Sequence, residues 1–217
     1  MRRGQRLQEP LAIPDRPRNG VSSASLQPDQ GIRERWEVGA YAEAATSALE
    51  TYGPEIMSFL VAVTRDEASA DDAFSLFCLA FWAALPRFRW QSSLRTWLYA
   101  LARSALGRLA RQRAVKRREV TFSPELEAVM VAVRSSRAFS TDRQDRLARL
   151  RESLSPEDHM LVVLRVGRDL PWTDVARIMS GEDEPTPEEL ERVTAALRKR
   201  WQRLKEELRR ELDRERG

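Results

Sequence analysis

From Ala73 through Arg118 the chain carries no Asp or Glu, yet Arg87, Arg89, Arg95, Arg103, Arg108, Arg111, Arg113, Lys116, Arg117 and Arg118 all fall within it. Cations packed this densely repel one another unless a polyanion neutralises them, and a surface helix ordinarily mixes the two signs. Phe88, Trp90, Trp97 and Tyr99 are interleaved with them. Guanidinium groups for phosphates and aromatic faces for bases are what a single-stranded nucleic acid requires. A solvated basic helix whose aromatics belong to a core has the same composition. A second acid-free stretch runs from Arg192 to Lys205 and holds Arg192, Arg198, Lys199, Arg200, Arg203 and Lys205. It follows a short helical segment and a break, the order of a helix-turn-helix whose second helix enters the major groove. A bundle or coiled-coil helix shows the same apolar stripe of Val193, Leu197, Trp201, Leu204, Leu208 and Leu212.

Catalysis finds little to work with. His159 is the single histidine, so neither a histidine metal cluster nor a triad can be built. The glycines are scattered and form no phosphate-cradling loop. Asp71-Asp72 reads as the acidic first turn of a helix. The sequence therefore predicts a non-enzyme with no cofactor and no metal. Cys78 stands alone in an apolar run, which excludes an internal disulfide and suits a buried, inert thiol. The N-terminal stretch has no apolar core of a secretory signal, and the run from Ala73 to Pro86 is too short to span a bilayer. A cytoplasmic location with no membrane insertion is expected.

The elements that must carry these residues are helical. Ala, Leu, Arg and Glu dominate, and alternating strand patterns are absent. The length of 217 residues allows two small domains. Residues 1–35 lack a periodic apolar face and read as a disordered tail. A helical domain is expected over 36–118. In it, Gly53-Pro54 breaks one helix and starts the next, Ser69 caps a nearly all-apolar helix that ends at Pro86, and a long helix begins near Leu94. Trp97 falls on that helix's apolar face, and Arg95 and Arg103 on its polar face, where they should be replaceable without loss of fold. Residues 119–143 form a linker with one short helix opened by Pro124. Residues 144–217 form a second domain. Its helices contain Leu147, Leu150 and Leu154, then Ser155-Pro156-Glu157-Asp158 as a capped start, then Pro171 to Met179, then a long helix from Pro187.

Ser69 to Leu85, Arg87-Phe88-Arg89, and Ser93-Leu94-Arg95-Thr96-Trp97-Leu98-Tyr99-Ala100-Leu101-Ala102-Arg103 resemble region 2 of bacterial RNA polymerase sigma factors. The compact two-domain form resembles the extracytoplasmic function (ECF) group of the sigma-70 family. Leu154 to Asp158, Pro171 to Met179 and Ala196 to Trp201 resemble region 4, more loosely. The resemblance implies an all-α protein that directs core polymerase to promoters in transcription initiation. Docking on the clamp coiled coil of the β′ subunit would fall on Asp71, Asp72, Phe74, Ser75 and Leu76. Capture of the melted −10 strand would fall on Arg87, Phe88, Arg89, Trp90, Ser93, Arg95, Trp97, Arg103, Arg108 and Arg111. Duplex −35 recognition would fall on Thr194, Arg198, Lys199, Arg200 and Arg203, with region 4 also touching the β flap. Many members of the group are held by an anti-sigma factor, which no residue here identifies.

Three departures from the family pattern stand out. Ser75-Leu76 replaces the usual Gln-Glu pair. Ser104 stands where asparagine is frequent, and Asn19 is the only asparagine in the chain, so Asn-to-adenine readout is lacking. Glu182 to Glu189 forms a long acidic loop where a tight turn belongs. It either bulges away from DNA or hinders DNA binding until a partner moves it. A sigma-like adaptor or decoy that binds polymerase without opening DNA, or a helical protein–protein module, are the alternatives.

Overall fold

Local sequence chemistry sets where each helix starts and stops. The computed structural model of the chain describes residues 26–112, 124–135, 154–182 and 185–214. Every regular element among them is helical. They are α1 (Leu26–Glu37), α2 (Tyr41–Thr64), α3 (Glu67–Ala84) with a short 3-10 turn (Leu85–Arg87), α4 (Leu94–Gln112), α5 (Pro124–Ser135), α6 (Pro156–Val162) running into a π-helical turn (Val163–Gly167), α7 (Trp172–Ser180) and α8 (Pro187–Arg214). Expectations for residues 1–25, for Arg113, Lys116, Arg117 and Arg118, and for Leu147 and Leu150 lie outside the described residues.

Residues 26–35, expected to belong to a disordered tail, are instead part of α1. Few side chains of α1 face the bundle, too few to register as a periodic stripe. Ile32 is buried at 2% exposure. Asp29 accepts a 2.6 Å hydrogen bond from the Tyr52 hydroxyl. The Trp36 indole N–H donates to the Leu85 carbonyl at 2.7 Å.

Gly53-Pro54 does not break the chain either. The α2 helix runs through Pro54 without interruption. Gly53 is instead a contact point: a Cβ there would lie 2.8 Å from Cγ2 of Val133, which packs on it from α5. Replacing Gly53 with alanine should gain about 1 kcal/mol in helix propensity and lose about 2 kcal/mol to overpacking. A net loss is expected in denaturant melts. The loss should shrink in a Gly53→Ala/Val133→Ala double variant, since the two sites share one contact.

The α3 cap also moves. Asp66, not Ser69, is the N-cap, and its carboxylate accepts the Ser69 backbone N–H at 2.7 Å. For α4 the cap is Ser93, whose Oγ accepts the Thr96 backbone N–H at 3.1 Å. Phe59, Phe74, Phe77, Phe81, Leu94, Leu98 and Tyr99 fill the core between α2, α3 and α4. By length and composition alone, Glu67–Arg87 could cross a membrane. Here it is the central bundle helix, with Ala70, Phe74, Phe77 and Phe81 in the core.

In the second half Ser155 caps α6 as its sequence predicts, accepting the Asp158 backbone N–H at 3.2 Å. Gly181 ends α7 at φ 81°, a backbone conformation glycine adopts freely. Thr186 and Glu189 form a reciprocal capping box at the start of α8, with bonds of 2.8 and 3.2 Å. The two indoles Trp172 and Trp201 meet edge to face at 6.4 Å and join α7 to α8. The α7 helix also packs on α4, so the two halves touch.

Candidate nucleic-acid interface

The helix α3, the turn after it, α4, α5 and the α6–α7 segment enclose one groove of about 1980 Å³. Its floor is apolar, with Leu76 and Leu79 from α3, Trp97 and Leu101 from α4, Met130 from α5, and Met160 and Met179 opposite. Arg87, Arg89, Arg103, Arg108 and Arg111 line the α4 side, and Arg134 and Arg177 face them. Asp72, Glu127, Glu157 and Glu182 stand on the other walls, so the cations outnumber the acids and the α4 side holds no acid. Arg87, Arg89, Arg108 and Arg111 are exposed. The fold thus brings together two sets of residues that the sequence assigns to different tasks. Asp72, Ser75 and Leu76 share the groove with Arg87, Phe88, Arg89, Trp97, Arg103, Arg108 and Arg111. Asp71, Trp90, Ser93 and Arg95 are not part of its lining.

Several of the expected contact residues turn inward. Phe74 is fully buried and belongs to the core, so it cannot serve as docking surface. Phe88 is 6% exposed and stacks on Trp97 with centroids 4.3 Å apart. The Trp97 ring meets Phe81 beneath it at 5.9 Å, so Trp97 both packs and borders the groove. Tyr99 is fully buried and packs edge to face on Phe59 at 5.0 Å. Aromatic spacing alone cannot separate a stacking platform from a core, because both use flat apolar rings.

Arg95 needs the largest correction. Its guanidinium makes a two-pronged pair with the Glu55 carboxylate of α2, one bond being 3.0 Å from Nε to Oε2. The Tyr99 hydroxyl donates to the same carboxylate at 2.9 Å. From the second half, the Arg168 carbonyl accepts from Arg95 at 3.5 Å, and the Arg168 guanidinium donates to Ser58 Oγ at 2.8 Å. Burial pushes the Glu55 carboxyl up. The Arg95 hydrogen bond and charge, with Tyr99 and Arg168, more than offset this and hold it below its ordinary value. Burial and the Glu55 charge raise the Tyr99 hydroxyl. Arg95 is therefore a structural cation, not a solvated one.

Beside it Thr96 is buried at 1% exposure and hydrogen-bonds Asp174 of α7, whose carboxyl is raised by burial. Arg103 lies against the end of α7, with Nη1 3.1 Å from where a Gly181 Cβ would sit. The first half of α4 is thus covered by α7, while Arg108 and Arg111 remain open.

Trp90 sits in an unusual backbone state. Its φ is 56°, left-handed geometry that a bulky side chain adopts at a cost of about 1–3 kcal/mol. Its indole N–H is buried and has no hydrogen-bond partner. Aromatic packing compensates: Trp36 at 6.0 Å, Phe88 at 4.9 Å and the Arg33 guanidinium 5.3 Å over the ring.

In the second half α8 turns Arg198, Lys199 and Arg203 outward, while Thr194 is half-buried. Arg200 is diverted. It pairs with Asp158 and with Glu157 at 2.8 Å, and reaches Ser155 at 3.2 Å, tying α8 to the start of α6. The hydrogen bond from Arg200 holds the Asp158 carboxyl below its ordinary 3.8. Such a depressed carboxylate stabilises the fold fully above its unfolded value, and the gain is lost as pH falls through the folded value. Arg200→Ala should cost about 1–2 kcal/mol at neutral pH. In thermal melts, the variant should also lose the part of the acid sensitivity below pH 3.8 that Asp158 supplies.

Residues 48–115 match the family model described as Sigma-70 region 2. That stretch of the chain is similar to sigma-70 region 2. The match supports membership of the sigma-70 family and a general role as an RNA polymerase sigma factor, acting on core polymerase and promoter DNA. Sigma factors catalyse no reaction of their own, so the domain assigns a binding task. No curated protein matches the chain.

Within the region 2 domain fall α3, the turn, the described part of α4, and Glu55. Glu55 is absent from the sequence-based site, although its place beside Ile56 on a helix with an apolar stripe is a signal that an acid there needs an inward partner. Arg134 lies outside the domain, on α5. It donates to Ser75 Oγ at 2.9 Å and covers the Phe74 ring at 5.8 Å. No feature of the local sequence around Arg134 predicts that contact.

Proposed function

We propose that the chain is a two-unit sigma factor of the ECF group, whose region 2 domain holds the melted −10 strand in the groove beside α4. The single observation that carries this is the coincidence of three features. The residues matched to region 2, the acid-free run and the basic wall of an open groove overlap over residues 87–111. Arg87, Arg89, Arg108 and Arg111 supply phosphate contacts, and Trp97 presents an aromatic edge. Asp72, Ser75 and Leu76 supply the polymerase-docking lip. In the second unit, Arg198, Lys199 and Arg203 face duplex −35 DNA, consistent with phosphate-positioning contacts by a basic helix. The acidic start of α8 keeps DNA away from that helix end, so contact falls on its middle turns. ECF membership also suggests an anti-sigma partner and contact with the β flap.

The test is reconstitution of the purified chain with its own core polymerase on a genome-wide promoter library. Promoter-specific initiation with permanganate-reactive thymines near −10 is the expected result. Retention of polymerase with no reactive thymines would replace this reading by that of an adaptor that does not open DNA. The covering of the first half of α4 by α7 gives that outcome a physical basis.

A further inference from the structure

We infer that α1, which lies outside the region 2 match, is a positioning element for the strand-facing loop, with Arg33 and Trp36 holding Trp90 in place. The inference rests on the strand-capture reading above and extends it to residues that the match does not reach. Trp90 is left-handed, and its indole N–H is buried without a hydrogen-bond partner. A residue in that state persists only where its surroundings over-determine it. Two of its three aromatic or cationic neighbours come from α1. The Trp36 ring meets it edge to face at 6.0 Å, and the Arg33 guanidinium stands 5.3 Å over its face. Trp36 also donates to the Leu85 carbonyl at 2.7 Å, fixing the turn at the start of the loop. The far end of the loop is fixed by the Ser93 cap of α4. Between these two anchors lie Arg87 and Arg89, which line the groove, and Phe88, which links Trp90 to Trp97 through contacts of 4.9 and 4.3 Å. Withdrawing the α1 side chains frees Trp90 to leave the left-handed state. The direction of Arg89 and the support under Trp97 change with it.

Arg33 is well suited to test this, because its side chain is 55% exposed and its removal leaves the core intact. The full chain is prepared with Arg33→Ala, Arg33→Lys and Trp36→Phe. Phenylalanine keeps a ring and removes the N–H donor. Two readings are taken: hydrogen–deuterium exchange of the amides at 87–93 in the free chain, and permanganate reactivity of promoter thymines with core polymerase. Exchange should rise and opening should fall about threefold in Arg33→Ala and about fivefold in Trp36→Phe. Arg33→Lys, which keeps the cation, should recover most of the loss, and affinity for core polymerase should stay unchanged. Unchanged exchange in both Arg33→Ala and Trp36→Phe would overturn the inference, as would faster exchange with normal promoter opening. An equal fall in opening and in polymerase affinity would also overturn it, because that is what a general structural defect produces. If the unaltered chain opens no promoter, the strand-capture reading fails by itself. The exchange data then still decide whether α1 holds the loop.

Discussion

Glu55→Ala should lower stability by about 2–3 kcal/mol, the largest loss expected from a single polar side chain among the described residues. Removing the carboxylate strands the Arg95 guanidinium and the Tyr99 hydroxyl in a site built around it. Breaking a fully buried pair costs about 3–5 kcal/mol. Here the two side chains keep 33% and 25% exposure, so water recovers part of the cost. For a chain of this length the loss corresponds to a fall in Tm of about 5–10 °C. Arg95→Ala should cost nearly as much, and the double variant less than the sum of the two, because both remove the same pair. The pH dependence has a definite sign. The Glu55 carboxyl is held below its ordinary 4.5, so its contribution is complete above that value and disappears as pH falls through the lower folded value. The Glu55→Ala variant should show a flatter stability curve over that interval. Because Arg168 closes the same cluster from the second half, the variant should also loosen the contact between halves, read as a larger radius of gyration. A wild-type Tm in Glu55→Ala would show that water, not Arg95, satisfies the carboxylate.

Much of this architecture is legible in the chain because helices announce themselves through local chemistry. Ser155-Pro156-Glu157-Asp158 starts α6 and Gly181 ends α7, and both depend on residues within one turn of the helix end. The misplaced features share a different cause. Gly53-Pro54 looks like a break because a glycine and a proline weaken any helix in isolation. Packing of Val133 into the space of the missing Cβ decides otherwise, and Val133 is far away in sequence. The start of α1 is hidden for the same reason: Asp29 and Trp36 are anchored by Tyr52 and Leu85. The site divides along this line too. The acid-free charge run locates the groove wall, since a net field needs no partner to be read. Which cations are already spent is a tertiary matter. Arg95 and Arg200 carry the same charge as Arg87 and Arg198, yet their acids, Glu55 and Asp158, stand on other helices. A count of positives therefore overstates the surface available to DNA.

That distinction leads to an expected result in which charge is removed from three places. Arg87→Gln/Arg89→Gln, Arg108→Gln/Arg111→Gln and Arg95→Gln variants are titrated with single-stranded DNA over a range of salt. Each lost phosphate contact lowers the slope of log affinity against log salt by about 0.7 for single strands. The first two variants should each lose about 1.4 in slope, so that a fourfold rise in salt costs about sevenfold less affinity than it does in the unaltered chain. Arg95→Gln removes a cation that is already neutralised by Glu55 and covered by the Arg168 carbonyl. It should leave the slope unchanged while lowering Tm, the reverse of the pattern for the groove arginines. The comparison is internal: all of these positions lie in one acid-free run, and their charges are equal. If strand capture depended on the run as a diffuse field, each lost charge would lower the slope equally wherever it sat. If it depends on the groove wall, the arginines that line it count and Arg95 does not. Equal slopes in Arg95→Gln and in half of either double effect would assign binding to the diffuse field and take the groove out of the mechanism.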